Sequence, residues 1–214
     1  MKIATAAYPL DWLDDWRDYE RKIESWVADG AANGADLLVF PEYGAMELAT
    51  LAGSNAAGDL EQSLFAVSER MPKAQALHAD LAARYGVYIL SGSGPVAVPA
   101  GRPVNRAHFF APDQKSTHQD KQIMTKFEVS PWDVAPGGPL TLIETEFGNL
   151  GILICYDSEF PLLGRALSKA DILLVPSCTE ALSGYWRVRI GAMARALENQ
   201  CVSVMSSLVG AAPW

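Results

Sequence analysis

Three residues of this chain have side chains suited to acyl chemistry and stand where strands would end: Glu42, Lys121 and Cys155. Cys155 closes the apolar run Ile152-Leu153-Ile154, read as a covered strand, with Gly148-Asn149 ahead of it as a turn and Asp157-Ser158 behind it as a helix cap. Backbone amides and a helix dipole at such a point favour a thiolate and an oxyanion forming beside it. A lone cysteine there also reads as a small buried hydrophobe. Glu42 follows Leu37-Leu38-Val39-Phe40 and Pro41, and a carboxylate behind four apolar residues costs free energy to bury unless it is paired. Lys121 comes at the end of the second arm of a hairpin, Ala107–Ala111 with Thr117–Gln119 around Pro112-Asp113.

The elements that would position these groups alternate between strand and helix. Met1–Pro9 reads as the first strand. Trp16, Ile23, Trp26 and Val27 recur at helical spacing up to Asn33-Gly34, and Leu37–Phe40 is a buried strand. Leu60–Arg70 is helical, Pro72 predicts a break, and Leu77, Leu81 and Tyr85 predict a second helix ending at Gly86. Val87–Leu90 is a strand, and Ser91–Pro95 reads as a loop at its end. Trp132–Gly138 is loop, and Thr141–Glu146 pairs with Leu150–Ile154 about Phe147-Gly148-Asn149. A last helix runs from Trp186 to Asn199 through Ile190, Met193, Ala194 and Leu197, before a strand Cys201–Met205. Ala35–Pro41 and Ala170–Pro176 share one pattern, which suggests two related halves. The order implies an α/β chain, and the hairpins make its sheets mixed.

With 214 residues, 50% of them apolar, the chain is long enough for a substantial single core. A net charge of -8 without clustered Lys or Arg argues against nucleic acid or an anionic membrane as partner and leaves small molecules. Cys155, Cys178 and Cys201 are odd in number and widely spaced, so neither a disulfide framework nor a zinc site is indicated, and a reducing, cytoplasmic setting fits. Asp11, Asp14 and Asp15 stand where a signal peptide would need its apolar stretch, and no apolar run reaches membrane-spanning length.

In order and local context, Val39-Phe40-Pro41-Glu42, Asp120-Lys121-Gln122-Ile123-Met124 and Gly151-Ile152-Leu153-Ile154-Cys155-Tyr156-Asp157 with Phe160-Pro161 resemble the three motifs of the nitrilase superfamily of carbon-nitrogen hydrolases. Ala194–Asn199 extends the resemblance over nearly the whole chain. It implies an α-β-β-α sandwich of two mixed sheets flanked by helices, a homodimer or larger homo-oligomer, and a Glu-Lys-Cys triad needing neither metal nor cofactor. Glu42 would be the general base, Cys155 the nucleophile, and Lys121 with the backbone N–H of Tyr156 the oxyanion holder. Glu128 would support the lysine. Lys126 is a rival for Lys121, though with Lys121 the apolar Met124 and Glu128 fall in register.

Cys155-Tyr156-Asp157 looks like the amidase-type branches, so the expected substrate is a small linear amide, cleaved through a thioester. A nitrile or an N-carbamoyl compound is the alternative within enzymes, and a catalytically idle binding module the alternative outside them. A papain-like pairing of Cys155 with His118 is a further rival, although none of His78, His108 and His118 has a local context that suggests such a pair. Glu159 stands where the family commonly has arginine, and Leu162 where it often has glutamate. Arg187, Arg189 and Trp186 fall in a region that borders pocket and subunit interface in similar proteins. The family continues past this point through further strands and a tail, so residues 1–214 read as one hydrolase domain without them.

Overall fold

The computed structural model describes residues 1–99 and 101–214. In chain order its elements are β1 (Ile3–Thr5), β2 (Ala7–Pro9), α1 (Trp16–Ala32), β3 (Leu37–Val39), α2 (Ser54–Ala57), α3 (Leu60–Tyr85), β4 (Tyr88–Leu90), β5 (Gly94–Val96) and β6 (Val104–Phe110). There follow β7 (Ser116–Asp120), α4 (Lys126–Val129), β8 (Leu142–Thr145), β9 (Gly148–Ile152), α5 (Pro161–Ala166), β10 (Ile172–Ser177), α6 (Leu182–Asn199) and β11 (Val202–Val209). Two 3₁₀ helices, Gly44–Ala52 and Cys155–Glu159, begin at the strand ends that matter most.

Two mixed sheets result, as expected. In one, β1, β3 and β4 run parallel, and β6 joins antiparallel with β5 and β7. In the other, β2, β11, β10 and β9 run parallel and β8 closes the edge antiparallel. The two-residue period of β3 shows how they stack. Leu37 and Val39 pack with Leu150, Ile152 and Leu174 of the opposite sheet, whereas Leu38 and Phe40 join α1 and α3 through Ile23, Val27, Leu64 and Leu81. β10 is buried along its whole length, and α6 packs outside it. The matched pattern of Ala35–Pro41 and Ala170–Pro176 thus corresponds to β3 and β10, each flanked by parallel strands within its own sheet.

The structure departs from the sequence reading at several points. The first strand is two: Ala6 separates β1 in one sheet from β2 in the other. Pro72 lies inside one continuous α3 instead of breaking it. Its ring is on the exposed face, where water can serve the carbonyl it leaves free, while Val67, Met71, Ala74 and Leu81 hold the buried face straight through. Ser91–Pro95 is not all loop, because Gly94 and Pro95 pair with β6. The β8–β9 turn is Glu146-Phe147, with Gly148 already in the strand at φ 108°. The aligned apolar positions of α6 face solvent: Ile190, Met193 and Leu197 are 62%, 63% and 74% exposed, and Val188, Gly191 and Ala192 pack inward.

Candidate active site

Each of the three strand ends is held by its own local hydrogen bonds. Beyond β3, Tyr43 adopts a left-handed φ of 56° and turns the chain into the first 3₁₀ helix. The turn is tied to the segment after β4: the Tyr43 N–H donates to Ser93 Oγ at 3.0 Å, and the Ser93 N–H to the Pro41 carbonyl at 3.2 Å. At Gly92 the two segments touch so closely that a Cβ would lie 3.0 Å from Gly44 Cα, a backbone atom that cannot swing away. Glu42 is therefore fixed by backbone on both sides.

Lys121 leaves β7 with its N–H donated to the Asn105 carbonyl at 2.9 Å, and its side chain is 1% exposed. Nζ donates to Glu42 Oε1 at 2.7 Å and to both oxygens of Glu128, at 2.8 and 2.7 Å. Glu128 comes from the one-turn helix α4. In its capping box the Thr125 N–H and Oγ1 each donate to Glu128 Oε2 at 2.8 Å, and the Tyr43 hydroxyl donates to Oε1 at 2.6 Å.

Cys155 also has a left-handed φ, 49°, so the chain turns sharply where β9's continuation meets the second 3₁₀ helix. The Tyr156 N–H falls in the first turn of that helix, where backbone donors lack intrahelical partners. Asp157 caps its own helix from the third position of a capping box, with Ile154 at the N-cap, and does more than the sequence suggested. Its carboxylate accepts the N–H of Ile154 at 3.1 Å and, across the cleft, those of Gln122 at 3.1 Å and Ile123 at 2.8 Å. One side chain thus joins the cysteine turn to the residues directly after Lys121. The backbone of Cys178, past β10, makes a second bridge: its carbonyl accepts from Cys155 Sγ at 3.6 Å and its N–H donates to Glu42 Oε2 at 3.0 Å.

Burial acts on every ionisable group here, and pairing decides the outcome. For Lys121 burial works against the ammonium, but the Glu42 and Glu128 carboxylates outweigh it and lift its pKa above the ordinary lysine value. Burial likewise opposes ionisation of Glu128, which Lys121 and the Tyr43 hydroxyl nevertheless hold below the usual carboxylate range. Glu42 is pushed up, because desolvation and the Glu128 charge exceed the pull of Lys121, making it the more basic carboxylate of the two. The Cys155 thiol is raised well above normal by burial and by the Glu42 charge, so the resting state is a neutral thiol beside a carboxylate.

The groups open on a pocket of about 680 Å³ whose lining includes Glu42, Lys121, Glu128, Cys155 and Tyr156. All five site residues singled out in the sequence therefore meet in one hollow. Arg187 and Glu159 also line it, whereas Arg189 does not. Lys126 is exposed on α4 and outside the lining. None of the histidines reaches it: His78 is packed among Phe40, Phe110 and Tyr19 with its pKa pushed down to about 4 by burial, and His108 faces His118 across β6–β7. Sequence reasoning missed Tyr43, the Asn105 amide that donates to Glu42 Oε1 at 3.1 Å, and the bracing by Asp157. Their partners are 34 to 85 residues away in the chain, and no local pattern signals them.

Comparison with known proteins identifies the family and the fold. The sequence model of the family described as carbon-nitrogen hydrolase matches residues 2–213. A probable hydrolase of Bacillus subtilis, YhcX, is 31% identical over 215 residues, covering 100% of this chain and 41% of that protein. A deaminated glutathione amidase of Synechocystis is 35% identical over 147 residues, 61% of this chain and 53% of that protein. The chain thus spans about half the length of these two relatives. The crystal structure of an amidase from Nesterenkonia sp. superposes with a TM-score of 0.76 at 24% identity, covering 99% of this chain and 77% of that one.

Proposed function

Because the chain belongs to the carbon-nitrogen hydrolase family, we propose that this site hydrolyses the C–N bond of a small linear amide through a thioester on Cys155. The observation that carries the reading is the ammonium of Lys121 locked between Glu42 and Glu128 in the pocket that Cys155 lines. Glu42 takes the proton of the thiol as sulfur attacks the carbonyl carbon, and the negative oxygen so formed is held by Lys121 and the Tyr156 N–H. Collapse breaks the C–N bond, and the proton on Glu42 passes to the departing ammonia or amine. Water then attacks the thioester, giving a proton to Glu42; the C–S bond breaks, the acid leaves, and the thiol is restored. The raised pKa of Glu42 suits a base, and the net charge of the ammonium with its two carboxylates is the same before and after each turnover.

Residues 1–214 act as one hydrolase domain in this reading. The exposed Ile190, Met193 and Leu197 on α6 support assembly as a homodimer through that helix, and three free cysteines suit the cytoplasm. Among the described residues no helix is long and apolar enough to cross a membrane.

The test is release of ammonia from short amides by the wild-type protein and its loss in Cys155→Ala, with mass spectrometry of the wild-type protein during turnover showing Cys155 heavier by the acyl group. Preference for nitriles or N-carbamoyl compounds would move the assignment within enzymes. No turnover of any of the three classes would favour a binding module.

A further inference from the structure

The walls of the pocket carry charges that amide hydrolysis itself does not require. Arg187, on the first turns of α6, points its guanidinium at Glu159, with Nε and Nη2 each 3.2 Å from Oε1. Glu159 belongs to the same short helix as Cys155, so the ion pair is set at a fixed offset from the sulfur. Glu180 lines the same wall and makes no ion pair among the described residues. The lining therefore holds the carboxylates of Glu42, Glu128, Glu159 and Glu180 against only two cations, Lys121 and Arg187, and both cations are engaged by carboxylates. Much of the remaining wall is apolar or aromatic, including Leu10, Met46, Leu60, Phe127, Trp132 and Trp214.

The geometry points to a pocket that selects amides with an apolar acyl chain and rejects those carrying a carboxylate, with Glu159 as the residue that determines this specificity. The inference rests on the amide-hydrolase reading above. A guanidinium at a pocket mouth is the natural receptor for an anionic substrate, since it can hold a carboxylate with two parallel hydrogen bonds. Here Glu159 already occupies that guanidinium. An incoming carboxylate would have to compete with it for the guanidinium and would meet the charge of Glu180 as well, while an alkyl chain can lie against the apolar wall. Selectivity of this kind comes from a repulsive element built against the wrong ligand. The Arg187 and Glu159 side chains are 61% and 21% exposed, so their pair contributes little to stability and Glu159 can be changed without unfolding the protein.

The experiment compares two amides of equal length, hexanamide and the monoamide of hexanedioic acid, by ammonia release. Wild type is expected to favour hexanamide in kcat/KM by about tenfold or more, the scale of one charge interaction at a partly wet site. In Glu159→Gln the ratio shifts at least about tenfold toward the carboxylated amide, chiefly through its KM, and adding Arg187→Gln reverses the shift. Calorimetric binding of both amides to Cys155→Ala reads the same preference without turnover. Equal or better use of the carboxylated amide by wild type, a ratio unmoved by Glu159→Gln, or binding of neither amide overturns the inference. A binding preference for hexanamide with no turnover sinks the hydrolase reading and leaves the selectivity standing.

Discussion

Replacing Lys121 by methionine keeps the length of the side chain but removes the one cation between two buried carboxylates. In the wild type Nζ makes three bonds of 2.7 to 2.8 Å to Glu42 and Glu128, and these side chains are 1% to 3% exposed. Removing one partner of a buried ionic cluster costs about 3–5 kcal/mol, because the charges left behind are no longer compensated. For a chain of this size that is a fall in Tm on the order of 10 °C. The deficit should depend on pH, with a definite sign. Without Lys121, Glu42 rises further and Glu128 changes from lowered to raised, since burial and mutual repulsion are then the main influences on both. Groups with raised folded-state pKa values contribute stability below their unfolded value and lose it as pH rises through the folded one. Urea unfolding of the two proteins, followed by tryptophan fluorescence across a pH series, should therefore show a deficit of about 1 kcal/mol near pH 4.5 that widens to the full 3–5 kcal/mol near pH 8. The kcat of Lys121→Met should fall by about 10²–10³ or more, as when one oxyanion donor is lost. A deficit that stays below about 1 kcal/mol, or that does not change with pH, would show that the ammonium is not what makes the buried carboxylates tolerable.

Two further predictions concern parts of the molecule beyond the triad. In Asp157→Asn the amide offers one acceptor oxygen to the N–H groups of Ile154, Gln122 and Ile123, and its NH₂ opposes at least one of them. Its kcat should drop about 10- to 100-fold with little change in KM, the mark of a positioning residue. Burial pushes the Asp157 pKa up to about 7 from 3.8, so its stabilising contribution is complete below 3.8 and lost as pH rises through about 7. Activity should move the opposite way, rising as the carboxylate forms, and a pH–rate profile of the Asn variant should lack that acid limb. On α6, Ile190→Glu with Leu197→Glu should weaken self-association at least about 100-fold in sedimentation equilibrium, since each buried aliphatic side chain contributes about 1.5–3 kcal/mol. A wild-type protein that is monomeric at every concentration would remove the dimer from the reading.

What could be read from the chain beforehand was mostly what rests on neighbouring residues. The apolar runs before Glu42 and Cys155 and the hairpin before Lys121 gave the strand ends, the alternation of strand and helix gave an α/β chain, the hairpins made its sheets mixed, and the family resemblance implied that there are two of them. Where the reading failed, tertiary contacts overrode a local signal. Pro72 is tolerated because the buried face of α3 is continuous across it. Asp157 does take part in the capping box of its helix, as Asp and Ser favour caps, but the further bonds it takes from Gln122 and Ile123 had no local signal. The 3.6-residue stripe on α6 specified a helix but not which side of it meets the sheet. Small residues settle that: Gly191 lets the helix come so close that a Cβ would lie 2.8 Å from the Ser158 carbonyl oxygen.

The division of the opening strand at Ala6 has a consequence for how the molecule is assembled. Among the described residues β2 finds its one strand partner in β11, with Ala7 opposite Ser207, and Ser206 Oγ donates to the Ala6 carbonyl at 3.0 Å. About 200 residues separate these groups in the chain, so during synthesis Tyr8 and its neighbours must wait, with an unsatisfied backbone edge, until β11 has been made. The segment that begins one sheet thus joins the other only once β11 is available. A ribosome-bound intermediate thus has one sheet able to form early and a second left ajar, which makes that gap the natural place for a chaperone to hold or for a neighbouring chain to intrude.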